Sequence, residues 1–203
     1  MKSPFKLRSP ATNYCLVSEN VELADSLSTF FNDESNKKLW AINTVRQKMT
    51  HALRHTESIS LRELDKNALE GLAKNTIVWN QVIETRDTDV LIQFKIFQLT
   101  IKWVHTSLLS VGASKVDFGR IFFSNLHANT IIDEHTDRGA YFDYYDRFHF
   151  CITSNENNIF EIRNQKCQLS KGGLFWVNNH VPHSLQNHNN IDRINLIVDV
   201  RLQ

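Results

Sequence analysis

Arg147-Phe148-His149-Phe150-Cys151-Ile152 alternates polar or small side chains with large apolar ones. Period two marks an extended backbone, so Arg147, His149 and Cys151 leave one face and Phe148, Phe150 and Ile152 leave the other. Arg193-Ile194-Asn195-Leu196-Ile197-Val198 repeats the pattern, with Arg193 and Asn195 opposite Ile194, Leu196 and Val198. A guanidinium pointing into a barrel is costly unless it meets an anion. The two stretches predict a sheet with an inverted pattern: an apolar outer face covered by helices, and a polar inner face that holds a polar ligand.

Outward from these stretches, period two begins at Ser114. Gly, Asn and Asp clusters then separate eight segments, at about 116–124, 129–135, 146–153, 158–163, 166–170, 174–178, 183–187 and 191–201. Eight short strands with turns between them predict a double-stranded β-helix, the jelly-roll form of cupin-like proteins. The expected class is α+β. Residues 114–203 form this core, and residues 1–113 form an N-terminal helical layer on the major sheet with one added edge strand, all in one compact domain.

In the N-terminal part, Tyr14-Cys15-Leu16-Val17 reads as a strand after an irregular arm. Ser18 is the expected cap of a helix that buries Leu23, Ala24, Leu27, Phe30 and Phe31. Ser35 is expected to cap a second helix with Leu39, Ile42, Val45, Met49 and Leu53 on one side. His51 and His55 on it are an i, i+4 pair with no third ligand nearby, and they read as solvated or edge-packed. Thr56-Glu57-Ser58-Ile59-Ser60-Leu61 reads as the added edge strand, and Ile77-Val78-Trp79 as a further apolar segment. From about Asp87 one long helix is expected, with a stripe at Val90, Phe94, Phe97, Ile101, Val104, Leu108 and Val111 and a C-cap at Gly112. That stripe also allows a homodimer seam.

The chemistry-bearing residues lie in the jelly-roll half. His135-Thr136-Asp137 puts an imidazole and a carboxylate on one face of an extended backbone, and His183 supplies a third ligand if the chain folds back. Two imidazoles and one carboxylate form the facial triad of non-haem Fe(II) oxygenases. Arg193 follows His183 by ten residues. His135-x-Asp137, Arg147-x-His149, Trp176-x-Asn178-Asn179, His183-Ser184 and Arg193 running into Leu196-Ile197-Val198-Asp199 together resemble the aspartyl/asparaginyl β-hydroxylase family of 2-oxoglutarate-dependent oxygenases. The resemblance is nearest to its cis-proline hydroxylase-like members and covers roughly the C-terminal half.

The resemblance implies Fe(II), 2-oxoglutarate and O2 as cofactor and cosubstrates. It implies that His135, Asp137 and His183 hold the metal, and that Arg193, with a bidentate fork, anchors the distal carboxylate of 2-oxoglutarate. It also implies cosubstrate contacts from Arg147, His149 and Ser124. Animal aspartyl hydroxylases have glycine where Asp137 stands, whereas proline-hydroxylase-like members keep the carboxylate. An iron-bound carboxylate also argues against halogenase chemistry. The implied reaction is oxidative decarboxylation of 2-oxoglutarate to succinate and CO2, coupled to hydroxylation of an aliphatic C–H bond.

No repeat domain of the kind that helps animal relatives hold protein substrates is present in the sequence. A free amino acid or small metabolite is therefore the expected substrate, with a peptidyl Asp, Asn or Pro second. The competing class is a non-enzymatic jelly-roll module that binds a metal or an acid. Arg138-Gly139-Ala140-Tyr141-Phe142-Asp143-Tyr144-Tyr145-Asp146, directly after Asp137, reads as an aromatic lid hinged at Gly139, and Arg138, Tyr141, Tyr145 and Asn178 are candidate substrate contacts.

Composition narrows the partners. Formal net charge is +1 and Lys and Arg are scattered, so nucleic acid is not an expected partner. No apolar run approaches a membrane span and no leader is evident, which leads to an expected cytoplasmic location. Three cysteines, Cys15, Cys151 and Cys167, lack metal-finger spacing and fit a reducing compartment, with Cys151 and Cys167 as core fillers.

Overall fold

The computed structural model describes residues 12–42, 51–65 and 84–203. Two antiparallel sheets face each other. Strands β1 (Tyr14–Glu19), β2 (Thr56–Leu64), β3 (Thr85–Asp87), β4 (Val116–Leu126), β6 (Asp146–Cys151), β9 (Gly173–Val177) and β11 (Arg193–Leu202) form the larger, in the order β1-β9-β6-β11-β4-β2-β3. Strands β5 (Thr130–His135), β7 (Asn158–Ile162), β8 (Gln165–Cys167) and β10 (His183–Asn187) form the smaller, in the order β5-β10-β7-β8. All eight strands expected after Ser114 are present, and the fold is a double-stranded β-helix. The N-terminal part adds three strands to it: β1 and β2, which fall on the two segments read as strands, and β3, which was not expected. Strand β1 extends one edge beside β9, and β2 with β3 extends the other beside β4.

The apolar outer face of the larger sheet is covered by helices. Phe148, Phe150, Ile152, Ile194, Leu196 and Val198 all enter one core with helix α1 (Val21–Asn32) and helix α3 (Lys95–Ser110). Phe97, Val104 and Leu108 of α3 are buried against this sheet, and Trp103 lies 4.7 Å from the ring of Phe150. Phe30, Phe31, Phe97 and Phe123 interlock largely edge-to-face with centroid separations of 4.8 to 6.0 Å. Each such aromatic withdraws a large apolar area from water, about 1.5–3 kcal/mol apiece.

Local details differ from the sequence reading for identifiable reasons. Asn20, not Ser18, caps α1, its Oδ1 accepting from Leu23 N at 2.9 Å; Ser18 is still in β1. Asp33, whose Oδ1 accepts from Ser35 N at 2.9 Å, precedes a 3-10 helix at Glu34–Ile42. Val45, Met49 and Ile77-Val78-Trp79 lie outside the described residues. The long helix is interrupted at Phe94, whose extended backbone (φ −111, ψ 111) separates α2 (Asp89–Gln93) from α3. Gln98 Nε2 donates to the freed carbonyl of Ile92 at 2.7 Å, and the ring of Phe94 packs against Phe30 and Phe97. Gly112 ends α3 at φ +103, with Gly112 N bonded to Leu109 O and Ala113 N to Leu108 O, the paired bonds of a Schellman cap.

The barrel interior is polar only in part. Leu126, Cys151, Phe160, Cys167, Phe175, Val177 and Leu185 form a second apolar core between the sheets. Inward polar groups concentrate at the end where β5 and β10 meet β6 and β11, and this gradient positions the site. No helix among the described residues is long and apolar enough to cross a membrane.

Candidate active site

His135 and His183 are direct cross-strand partners on β5 and β10, with ring centroids 4.4 Å apart. Asp137 follows the end of β5, and its amide donates to Asn179 O at 3.0 Å. These three residues each offer a ligand atom, all within 4.8 Å of one another, and they are the one such group among the described residues. His135 Nε2 is 4.0 Å from Asp137 Oδ1. Both imidazoles are aimed in the same way: Nδ1 of His135 meets the carbonyl of Asp133 at 2.8 Å, and Nδ1 of His183 meets the carbonyl of Val181 at 2.9 Å. A carbonyl only accepts, so Nδ1 carries the proton and the Nε2 lone pair is left for a metal. Burial lowers the His183 pKa to about 4, against the raising effect of the Val181 carbonyl, which keeps the ring neutral at pH 7.

Burial alone would raise the Asp137 carboxyl. The Arg147 guanidinium, His183 and a hydrogen bond from Asn179 outweigh burial and hold it at about 2. Arg147 Nη1 donates to Asp137 Oδ2 at 2.6 Å, and Asn179 Nδ2 donates to the same oxygen at 3.1 Å. The remaining arms of Arg147 go to Asp199, Nε to Oδ1 at 2.8 Å and Nη2 to Oδ2 at 3.1 Å. Arg147 lines the cavity, but its fork is already committed to two carboxylates. One N–H on each of Nη1 and Nη2 is left over from these three bonds.

The cavity beside the histidines is narrow, with a free volume of about 60 Å³. Its polar wall is made by Ser124, Arg147, His149, His183, Arg193 and Asn195, and its apolar wall by Leu53, Phe122, Leu126, Ile132, Phe160 and Ile197. His149 is buried and neutral, its pKa driven well down by burial and then by Arg147 and Arg193. Arg193 is 4 % exposed. No carboxylate pairs with it among the described residues: Nη2 lies 3.9 Å from Cys151 Sγ, and Nε has no hydrogen-bond partner. Asn195 Oδ1 and Ser58 Oγ are likewise buried without partners. The register places Cys151, Asn195, Ser124 and Ser58 in one row across β6, β11, β4 and β2. Unpaired buried polar atoms are rare and costly. A buried guanidinium beside that row, with Nε unpartnered, fits a bound carboxylate.

The expected lid is not one. Tyr141 and Tyr145 are 4 % and 6 % exposed, and neither lines the cavity. Residues Ala140–Tyr144 form a short helix, α4, packed against the larger sheet at Gly119, where an added Cβ would lie 2.6 Å from Tyr141 Oη and 3.0 Å from the Tyr145 ring. Arg138 is exposed and does not line the cavity either. Asn178 is held in a turn, its Oδ1 accepting from His180 N, while its neighbour Asn179 makes the contact to Asp137. The mouth is instead bordered by Leu53, in a 3-10 turn at His51–Leu53 that docks through Arg54 Nη1 on Asp133 Oδ2 at 2.6 Å. Spacing put Asn195 on the inner face without giving it a role, and did not flag Asn179 or Asp199. The inward parity of Asn195 and Asp199 with Arg193 was the available signal.

Fold and site define a double-stranded β-helix enzyme with a two-histidine, one-carboxylate metal centre next to an acid-binding pocket. The family model for aspartyl/asparaginyl beta-hydroxylase matches residues 40–202, and the chain belongs to that family. It is a hydroxylase of the 2-oxoglutarate- and Fe(II)-dependent class. No curated protein matches the sequence. Among solved structures, it is similar to a 2OG-Fe(II) oxygenase family oxidoreductase from Burkholderia pseudomallei (TM-score 0.52, 8 % identity, 82 % of this chain and 76 % of that one). It is also similar to a prolyl-4-hydroxylase from Pseudomonas putida (TM-score 0.52, 10 % identity, 95 % and 94 %). A viral collagen prolyl hydroxylase from Paramecium Bursaria Chlorella virus-1, in complex with 2OG, gives 0.51, 10 %, 94 % and 96 %. At such identities these likenesses are of fold.

Proposed function

We propose that the protein hydroxylates an aliphatic C–H bond of a free amino acid or another small metabolite, using Fe(II), O2 and 2-oxoglutarate and releasing succinate and CO2. The observation that carries this reading is Arg193, a buried guanidinium with no carboxylate partner among the described residues, in the same cavity as the metal-ligand cluster. Nε2 of His135, Nε2 of His183 and Oδ1 of Asp137 would hold the iron. Arg193, with Asn195 and Ser124 beside it, would take the distal carboxylate of 2-oxoglutarate. Bound together, iron and cosubstrate supply the oxidising power to insert one atom of dioxygen into a C–H bond.

The chain's own part is orientation and exclusion of water. The backbone carbonyls of Asp133 and Val181 fix the tautomers, and Arg147 with Asn179 leaves one carboxylate oxygen towards the imidazoles. Phe160 stacks at 4° to the His183 ring, 6.1 Å away, and shields it.

The test is turnover. Purified protein loaded anaerobically with Fe(II) is given O2, 2-oxoglutarate and each amino acid in turn, with short peptides containing Asp, Asn or Pro as a second panel. Succinate together with a product one oxygen heavier is expected from the first panel. Product from the second panel alone would move the substrate to a peptidyl residue. No product from either, with succinate no higher than for His183→Ala, would overturn the reading.

A further inference from the structure

Asp199 has no part in the roles above, yet it is the one Asp or Glu in the fully buried set among the described residues, at 1 % exposure. A buried carboxylate is costly unless charges and hydrogen bonds surround it. Asp199 has both. Arg147 grips it with Nε and Nη2 at 2.8 and 3.1 Å, and the Tyr141 hydroxyl donates to Oδ2 at 3.1 Å. Arg120 Nε is 3.4 Å from the same oxygen, as an ion pair without hydrogen-bond alignment. The last arm of the Arg147 fork is the one on Asp137. One planar group thus holds two carboxylates, one in the metal cluster and one outside it.

We propose that Asp199, steadied by Tyr141, is a positioning residue that acts through Arg147 to present the carboxylate of Asp137 to the metal by one oxygen. The proposal rests on the reading of Asp137 as a metal ligand. A guanidinium is rigid, so fixing Nε and Nη2 on Asp199 fixes the direction of Nη1. That arm and Asn179 Nδ2 both hold Oδ2 of Asp137, which leaves Oδ1 on the side of His135. Asp199 also shares the positive charge of Arg147. Without it, that charge would fall on Asp137 alone and make the carboxylate a poorer donor. The Tyr141 hydroxyl accepts from Arg120 N at 2.7 Å while donating to Asp199, so it locks the carboxylate to β4. The segment after Asp137 therefore serves the metal site from behind, as a brace.

The experiment titrates metal-free protein with Co(II), read by its visible absorption, for wild type, Asp199→Asn and Tyr141→Phe, each also in an Asp137→Ala background. Asp199→Asn is expected to weaken Co(II) about tenfold or more, as for other groups that support metal ligands, and to shift the Co(II) spectrum. Tyr141→Phe keeps the ring and should act in the same direction by a smaller factor. Once Asp137 is alanine, Asp199→Asn should cost nothing more. Equal loss in both backgrounds would show a merely structural role and overturn the proposal. Wild-type affinity and spectrum in both single variants would overturn it too, and if Asp199→Asn does not fold, the same result in Tyr141→Phe alone suffices. Failure of the metal reading itself looks different: wild type would then bind Co(II) no better than His183→Ala.

Discussion

Arg193→Met should make the protein more stable without ligand and blind to 2-oxoglutarate. Removing one partner of a buried ion pair costs about 3–5 kcal/mol, chiefly because the other charge is left alone. Arg193 without a ligand stands in that position, with Nε unpartnered and only a cysteine sulfur at 3.9 Å from Nη2. Water in the open cavity returns part of the cost, so roughly 2 kcal/mol of relief is expected when methionine keeps the stem and drops the charge. For a domain of this size each kcal/mol moves Tm by about 2–4 °C, which gives a rise of about 4–8 °C. Wild type should gain about 2.7 kcal/mol from 2-oxoglutarate at a hundred times its Kd, and the variant nothing. Thermal unfolding with and without 2-oxoglutarate, in the presence of metal, reads both effects. A variant less stable than wild type without ligand would refute the unpaired-charge argument. An undiminished rise with 2-oxoglutarate would refute Arg193 as the anchor.

His183→Ala should lose most of its iron under anaerobic loading, measured by metal analysis, because one of three donors is gone; full retention would sink the ligand assignment. Replacing Tyr141 and Tyr145 together by alanine should lower the urea midpoint, with about 3–5 kcal/mol lost per buried aromatic, and wild-type stability would contradict their packing on Gly119. Gly119→Ala should itself cost about 1–3 kcal/mol by overpacking, since its Cβ would meet Tyr141 Oη at 2.6 Å. An unchanged midpoint there would mean that α4 shifts freely.

The strand half was legible because parity is a strong constraint: residues 147–152 and 193–198 each had an apolar face that needed cover and a polar face that needed partners, which Arg147 finds in the protein and Arg193 does not among the described residues. Metal ligands were legible for a related reason, since His135 and Asp137 sit at a strand end where two-residue spacing means a shared face. Side chains off regular strands were not. Asn178 and Asn179 are adjacent in a turn, where no period says that Asn179 is the one that bonds Asp137. Tyr141 and Tyr145 read as a lid because they follow Asp137. They pack instead on Gly119, which is distant in sequence and whose missing side chain leaves room for their rings. The break at Phe94 was hidden for another reason: α2 and α3 are both amphipathic, and a single extended residue between them leaves the apolar spacing almost intact.

In this chain Arg147 is held by two carboxylates of the protein itself. The resemblance implied that Arg147 contacts 2-oxoglutarate, but it also noted that animal members carry glycine where Asp137 stands. An arginine facing a glycine has no carboxylate to hold and is free to meet an incoming acid. In this chain Asp137 takes Nη1, and Asp199, directly opposite Arg147 in the β6–β11 register, takes Nε and Nη2. The charges of Arg147 and Arg120 then balance those of Asp137 and Asp199, while carbonyls at Nδ1 aim both imidazoles so that Nε2 faces the cluster. Arg193 has no carboxylate partner among the described residues, deep beside a site that would add the charge of a divalent ion. Electrostatics of that kind favour a dianion that reaches from the metal to Arg193, and 2-oxoglutarate, with a carboxylate at each end, has that form.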